Sequence, residues 1–91
     1  MSKKTESQAK AERKPVSHAE LEKAISEAIK TSEPECENFV GVIVQRIARP
    51  LQAGANWRVK GVRYGKANRE ACAVALAKCV DQFQLEFDLS D

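Results

Sequence analysis

The sequence predicts an α+β fold, helix–strand–strand–helix, with an antiparallel hairpin and a disordered N-terminal arm. Three observations predict it. A capped segment opening at Ser17 carries apolar residues at helical spacing. Two β-branched stretches, 39–47 and 57–65, flank a loop containing Pro50 and Gly54. An alanine-rich segment from about residue 68 to 87 returns to helical spacing. The 91 residues fit one domain, assigned to residues 17–91.

Residues 1–16 are rich in Lys, Glu, Ser, Gln and Ala without apolar periodicity, the composition of a disordered basic arm. Ser17 and Glu20 form a capping box, in which the Ser17 hydroxyl takes a free N–H of the first turn and Glu20 reaches back to the cap. Leu21, Ala24, Ile25, Ala28 and Ile29 then repeat at i, i+3, i+4, i+7 and i+8 as one apolar stripe. The helix should stop near Thr31, because Glu33 precedes Pro34 and a residue before proline avoids helical dihedrals. "PECENF" reads either as a short helical turn or as a loop leading to the next element.

"FVGVIVQRI" is a strand with Val40, Val42 and Val44 on one face and Phe39, Ile43 and Ile47 on the other. Apolar residues on both faces predict cover on more than one side. In "WRVKGVRYG" the alternation changes phase, from Trp57 and Val59 to Val62 and Tyr64, with Gly61 at the switch, which predicts a β-bulge. Asn68 caps the last helix, where Cys72, Leu76, Cys79, Val80, Phe83 and Phe87 share helical spacing and Ala73, Val74 and Ala77 form a second smooth face. A lone hairpin is marginal in water. The surplus apolar surface therefore predicts a homodimer through the sheet or the alanine-rich helix face. The alternative is a monomer whose first helix covers that surface.

Three cysteines, an odd number, argue against a disulfide framework. Cys72 and Cys79 lie two helical turns apart, about 10 Å along the axis and too far to bond. The cysteines are expected to act as small buried apolar groups. The only histidine is His18 and no C-x-x-C spacing occurs, so no metal or other cofactor is expected. Residues 1–15 are polar throughout and no apolar run approaches the roughly 18 residues of a membrane span, which predicts a cytoplasmic chain with no membrane partner. No P-loop, G-x-G-x-x-G, H-E-x-x-H or G-x-S-x-G motif is present, and Glu33, Glu35 and Glu37 have no convergent base or nucleophile. An enzyme is not expected, and the chain reads as a small interaction or binding module.

The net charge of +2 conceals segregation: residues 17–38 carry −4, residues 39–80 carry +7 and residues 81–91 carry −4. Such asymmetry bears on partners rather than on fold. The functional reading is nucleic acid or another anionic partner. Arg46, Arg49, Arg58, Lys60, Arg63, Lys66 and Arg69 would contact phosphates, with Trp57 or Tyr64 stacking on a base. Six phosphate contacts would give a salt slope of roughly −5 on a log–log scale. The plainer reading is that these side chains cover the open side of a hairpin and pair with the acidic segments.

From "SHAELEKAI" onward the chain resembles short bacterial proteins that share the "ECE.FVGVIV" and "ANW…GVR.G" segments and a closing helix, a group to which no activity is assigned. "YGKANREACAVALAKCV" (64–80) resembles the start of the last helix in double-stranded-RNA-binding domains. Arg69 and Ala71 fall where that family has a lysine and an alanine, and Asn68 and Cys72 fall where it often has lysines. That family has three strands between its helices, against two predicted here. The resemblance implies RNA contact at the helix start.

Overall fold

The computed structural model describes residues 13–48 and 54–90. The fold is α+β, in the order β1 (Lys14–Val16), α1 (His18–Ser32), a 3-10 turn (Pro34–Cys36), β2 (Gly41–Arg46), β3 (Trp57–Arg63), α2 (Arg69–Glu86) and β4 (Phe87–Leu89). The predicted helix–strand–strand–helix frame is present, and β2 and β3 pair as the antiparallel hairpin.

Helix α1 starts as its sequence dictates. The Ser17 Oγ accepts from the Glu20 N–H at 3.1 Å, and the Ser17 N–H donates to Glu20 Oε1 at 3.1 Å. Leu21, Ile25 and Ile29 are fully buried on one stripe. The helix ends at Ser32, and "PECENF" resolves into the 3-10 turn. That turn buries Cys36 and delivers Phe39 to the core.

In the hairpin, Gly41, Val42 and Ile43 pair with Arg63, Val62 and Gly61, and Val44, Gln45 and Arg46 pair with Val59, Arg58 and Trp57. The register shifts between Ile43 and Val44, leaving Lys60 as the extra residue of the bulge predicted beside Gly61. The outer edges of both strands are occupied by helix side chains. Val44 N–H donates to Glu22 Oε2 at 2.8 Å, and Gln84 Nε2 donates to the Trp57 carbonyl at 2.8 Å. Sheet edges satisfied in this way are less open to pairing with another strand. The strand is covered unevenly: Val42 and Val44 are buried, but Val40 and Ile43 are exposed, so the expected cover on both faces does not occur within the described chain. After β3, Gly65 turns the chain at φ +60°, where an added Cβ would lie 2.6 Å from Val40 Cγ2. Only glycine suits that position.

Two expectations are corrected at the chain ends. The arm was expected to be disordered over residues 1–16; residues 1–12 lie outside the described residues, and Lys14–Val16 forms β1. Phe87 was expected to end the last helix, but it begins β4. The two short strands pair in parallel, Lys14 with Phe87 and Val16 with Leu89, and the Ser90 N–H donates to the Val16 carbonyl at 2.8 Å. Asn56 holds β4 from the other side. Its Oδ1 accepts from the Leu89 N–H at 2.8 Å and its Nδ2 donates to the Leu89 carbonyl at 3.1 Å, so the buried amide imitates a neighbouring strand. The Trp57 indole N–H donates to the Phe87 carbonyl at 3.0 Å. Buried polar groups persist where they are matched in this way.

The cysteine expectation is also corrected. Cys36 and Cys72 form a disulfide, with Cα atoms 5.6 Å apart, well within bonding range. The spacing within the last helix could not indicate it, because the partner comes from the 3-10 turn folded against the first turn of α2. Cys79 remains a free thiol.

Candidate nucleic-acid interface

The bulge decides where the basic side chains of β3 go. Strict alternation would set Arg63 opposite to Arg58 and Lys60. The extra residue resets the phase: Trp57 and Val59, then Val62 and Tyr64, all pack on the core, while Arg58, Lys60 and Arg63 are exposed together on the other side. Gln45, opposite Arg58 in the register, accepts from Arg58 Nε at 3.3 Å. Beyond the strand, Gly65 turns the chain, and Lys66 and Arg69 are exposed at the start of α2. The Arg69 guanidinium lies over the Tyr64 ring, 5.2 Å from its centroid. Tyr64 also makes a T-shaped contact with Phe39, their ring centroids 5.9 Å apart. None of Arg58, Lys60, Arg63, Lys66 and Arg69 forms an ion pair with an acidic side chain among the described residues.

Other members of the predicted set fall elsewhere. Trp57 is withdrawn from the surface: it is fully buried and its N–H is committed to Phe87, so it is a core anchor and not a stacking platform. Tyr64 is half-buried and its ring is in contact with both Phe39 and Arg69, so the ring face under Arg69 is not open for stacking. Arg46 is exposed, but its Nη2 donates to the Leu89 carbonyl at 3.3 Å, which ties it to the terminal strands. Arg49 lies outside the described residues. Asn56, which by sequence falls in the loop before β3, is a buried polar tie between the start of β3 and β4. Its one signal was its place beside Trp57 at the start of the strand.

The helix start next to this basic surface is already satisfied in part. Asn68 caps α2, its Oδ1 accepting from the Ala71 N–H at 3.0 Å, and the Asn68 N–H donates to the Glu35 carbonyl at 3.0 Å. The cations here therefore act chiefly through their own charge, with the helix dipole adding a smaller attraction for anions. No group of three or more His, Cys, Asp or Glu side chains among the described residues is placed to hold a metal. No helix among them is long and apolar enough to cross a membrane.

These features define a small α+β module with a basic face that has no acidic partner among the described residues. No family model, curated protein or solved structure matches the chain.

Proposed function

We propose that this protein is a small non-enzymatic binding module whose basic hairpin face engages the phosphates of a nucleic acid. One observation carries the reading: the bulge gathers Arg58, Lys60 and Arg63 on one exposed face, without acidic partners among the described residues, next to Lys66 and Arg69. Five cations gathered in this way resemble a phosphate-tracking surface. With Trp57 buried and Tyr64 partly covered, stacking adds little, so binding should be tolerant of sequence. The likeness of residues 64–80 to the last helix of double-stranded-RNA-binding domains supports the same face, through Lys66 and Arg69 at the helix start. The cytoplasm belongs to this reading as the place of action. In this fold Cys36 and Cys72 are fully buried, which slows attack by cytoplasmic thiols on the disulfide once it has formed.

Fluorescence anisotropy with labelled duplex RNA, duplex DNA and single strands tests the reading. Five phosphate contacts predict a salt slope of roughly −4 to −5 on duplex. The double variant Arg58→Ala with Lys60→Ala should reduce that slope by about 2 and weaken binding alike across sequences. Absence of binding to all three ligands at low salt would remove the proposal.

A second reading, self-association, is favoured by a different observation. The face of α2 carrying Ala73, Val74 and Ala77 is exposed, although it is mostly apolar. In this reading a second copy covers it.

A further inference from the structure

The two most exposed large apolar side chains among the described residues are Val74, at 58%, and Leu85, at 62%. Both lie on α2, with Lys78 and Asp81 exposed between them. The steps from Val74 to Lys78, Asp81 and Leu85 are four, three and four residues, which keeps all four on one narrow stripe with the spacing of a two-helix seam. Neither Lys78 nor Asp81 forms an ion pair with another described residue.

The stripe reads apolar, positive, negative, apolar. Laid antiparallel on itself about a twofold axis between residues 79 and 80, it is self-complementary. Val74 then meets Leu85 of the second copy, and Lys78 meets Asp81 of the second copy, each contact occurring twice by symmetry. A parallel arrangement would set Lys78 against Lys78 and Asp81 against Asp81.

The molecule also carries a receptor for the projecting leucine. Between α1 and α2 runs a groove of about 360 Å³, lined by the apolar Ala28, Ala71, Val74, Ala75 and Cys79 and by the polar Ser32, Glu33 and Lys78. An enclosed cavity of roughly 150 Å³ suffices for benzene, so this groove has room for a leucine side chain. Val74 is on its rim, and Leu85 of the second copy would arrive at Val74. Each protomer thus offers one knob and one hole, three helical turns apart on the same helix.

We infer that α2 is a homodimer interface in which two copies pack antiparallel. Leu85 of each copy enters the groove beside Val74 of the other, and two Lys78–Asp81 pairs fix the register. The inference rests on the self-association reading and names its surface. It leaves Arg58, Lys60 and Arg63 uncovered, so each dimer presents two basic faces. One helix face about 27 Å long is a small contact beside the roughly 1,200–2,000 Å² of stable interfaces. The association is therefore weak, with a Kd on the order of 100 µM.

Sedimentation equilibrium on the wild-type chain and three variants tests it, with far-UV circular dichroism as a check on folding, because both charged positions are exposed. Lys78→Asp sets like charges together twice in the dimer, and so does Asp81→Lys. Each should weaken association by roughly tenfold or more. The double variant, Lys78→Asp with Asp81→Lys, restores opposite charges and should return the Kd to within about threefold of wild type. Wild-type chain that remains monomeric to about 1 mM would end the self-association reading altogether. Wild-type dimers unaffected by either single variant, or not recovered by the double, would keep self-association and overturn this interface.

Discussion

The two helices differ in a way that their lengths do not foretell. Helix α1 has 15 residues and buries Leu21, Ile25 and Ile29 completely. Helix α2 has 18 residues, yet Cys72 is its only fully buried one. In α1 the large apolar residues recur at one angular position, so a single packing surface takes them all. In α2 the apolar residues are spread around the circumference. The described chain covers only the side bearing Cys72, Leu76, Cys79 and Phe83, and leaves Val74 and Leu85 in solvent. The longer helix is thus the less committed one. The first helix holds the domain together, and the second offers surface to something else.

The sharpest way to break this comparison is to truncate one residue on each helix. Ile25→Ala removes a fully buried side chain and should cost about 2–5 kcal/mol. Val74→Ala, at a position already 58% exposed, should stay within about 0.5 kcal/mol. Urea unfolding at low micromolar concentration, where the proposed dimer is absent, measures both. Comparable losses would mean that α2 is as deeply integrated as α1, and the contrast would not stand.

A somewhat smaller effect is expected from the bond that ties α2 down. The Cys36–Cys72 disulfide joins positions 36 residues apart, linking the turn after α1 to the first turn of α2. Constraining a loop of that size in the unfolded chain is worth roughly 2–4 kcal/mol. The variant Cys36→Ser with Cys72→Ser, unfolded in urea beside the oxidised wild type, should show that loss. A loss below about 1 kcal/mol would mean that the half-buried face of α2 anchors the helix unaided.

The contrast also explains which parts of the fold were legible in the sequence. Helix α1 was readable because its signals are local: Ser17 and Glu20 three residues apart, an apolar stripe and Pro34 as a stop. The bulge was readable because the apolar phase visibly changes across Gly61. It carried the most useful part of the candidate site, the common face of Arg58, Lys60 and Arg63. The pairing of β1 with β4 was not readable: three-residue strands at opposite ends of the chain carry no periodicity, and their partners include the side chains of Asn56 and Trp57. The disulfide escaped for a related reason, since two cysteines distant in sequence meet only once the 3-10 turn packs on α2. Sequence alone leaves Trp57 open between stacking on a base and anchoring the core, because an aromatic beside an arginine looks the same in either role; its full burial selects the core.

The smallest expected effect sharpens the comparison within α2 itself. Cys79 lines the groove on the covered side of the helix, and burial pushes its thiol pKa above the ordinary value because desolvation disfavours the thiolate. Alkylation proceeds through the thiolate, so at neutral pH iodoacetamide should modify native Cys79 more slowly than the same residue in the urea-unfolded chain. The native rate should keep rising with pH beyond the point at which the unfolded chain levels off, because the folded thiol deprotonates later. Only one thiol per oxidised chain should react, since Cys36 and Cys72 are bonded to each other. The same reaction reports on the groove. If Leu85 of a second copy fills it, the rate should fall further as the protein is concentrated through the proposed Kd, and Asp81→Lys should abolish that dependence. Native alkylation as fast as in urea would mean that Cys79 in the groove is no better covered than the exposed stripe bearing Leu85.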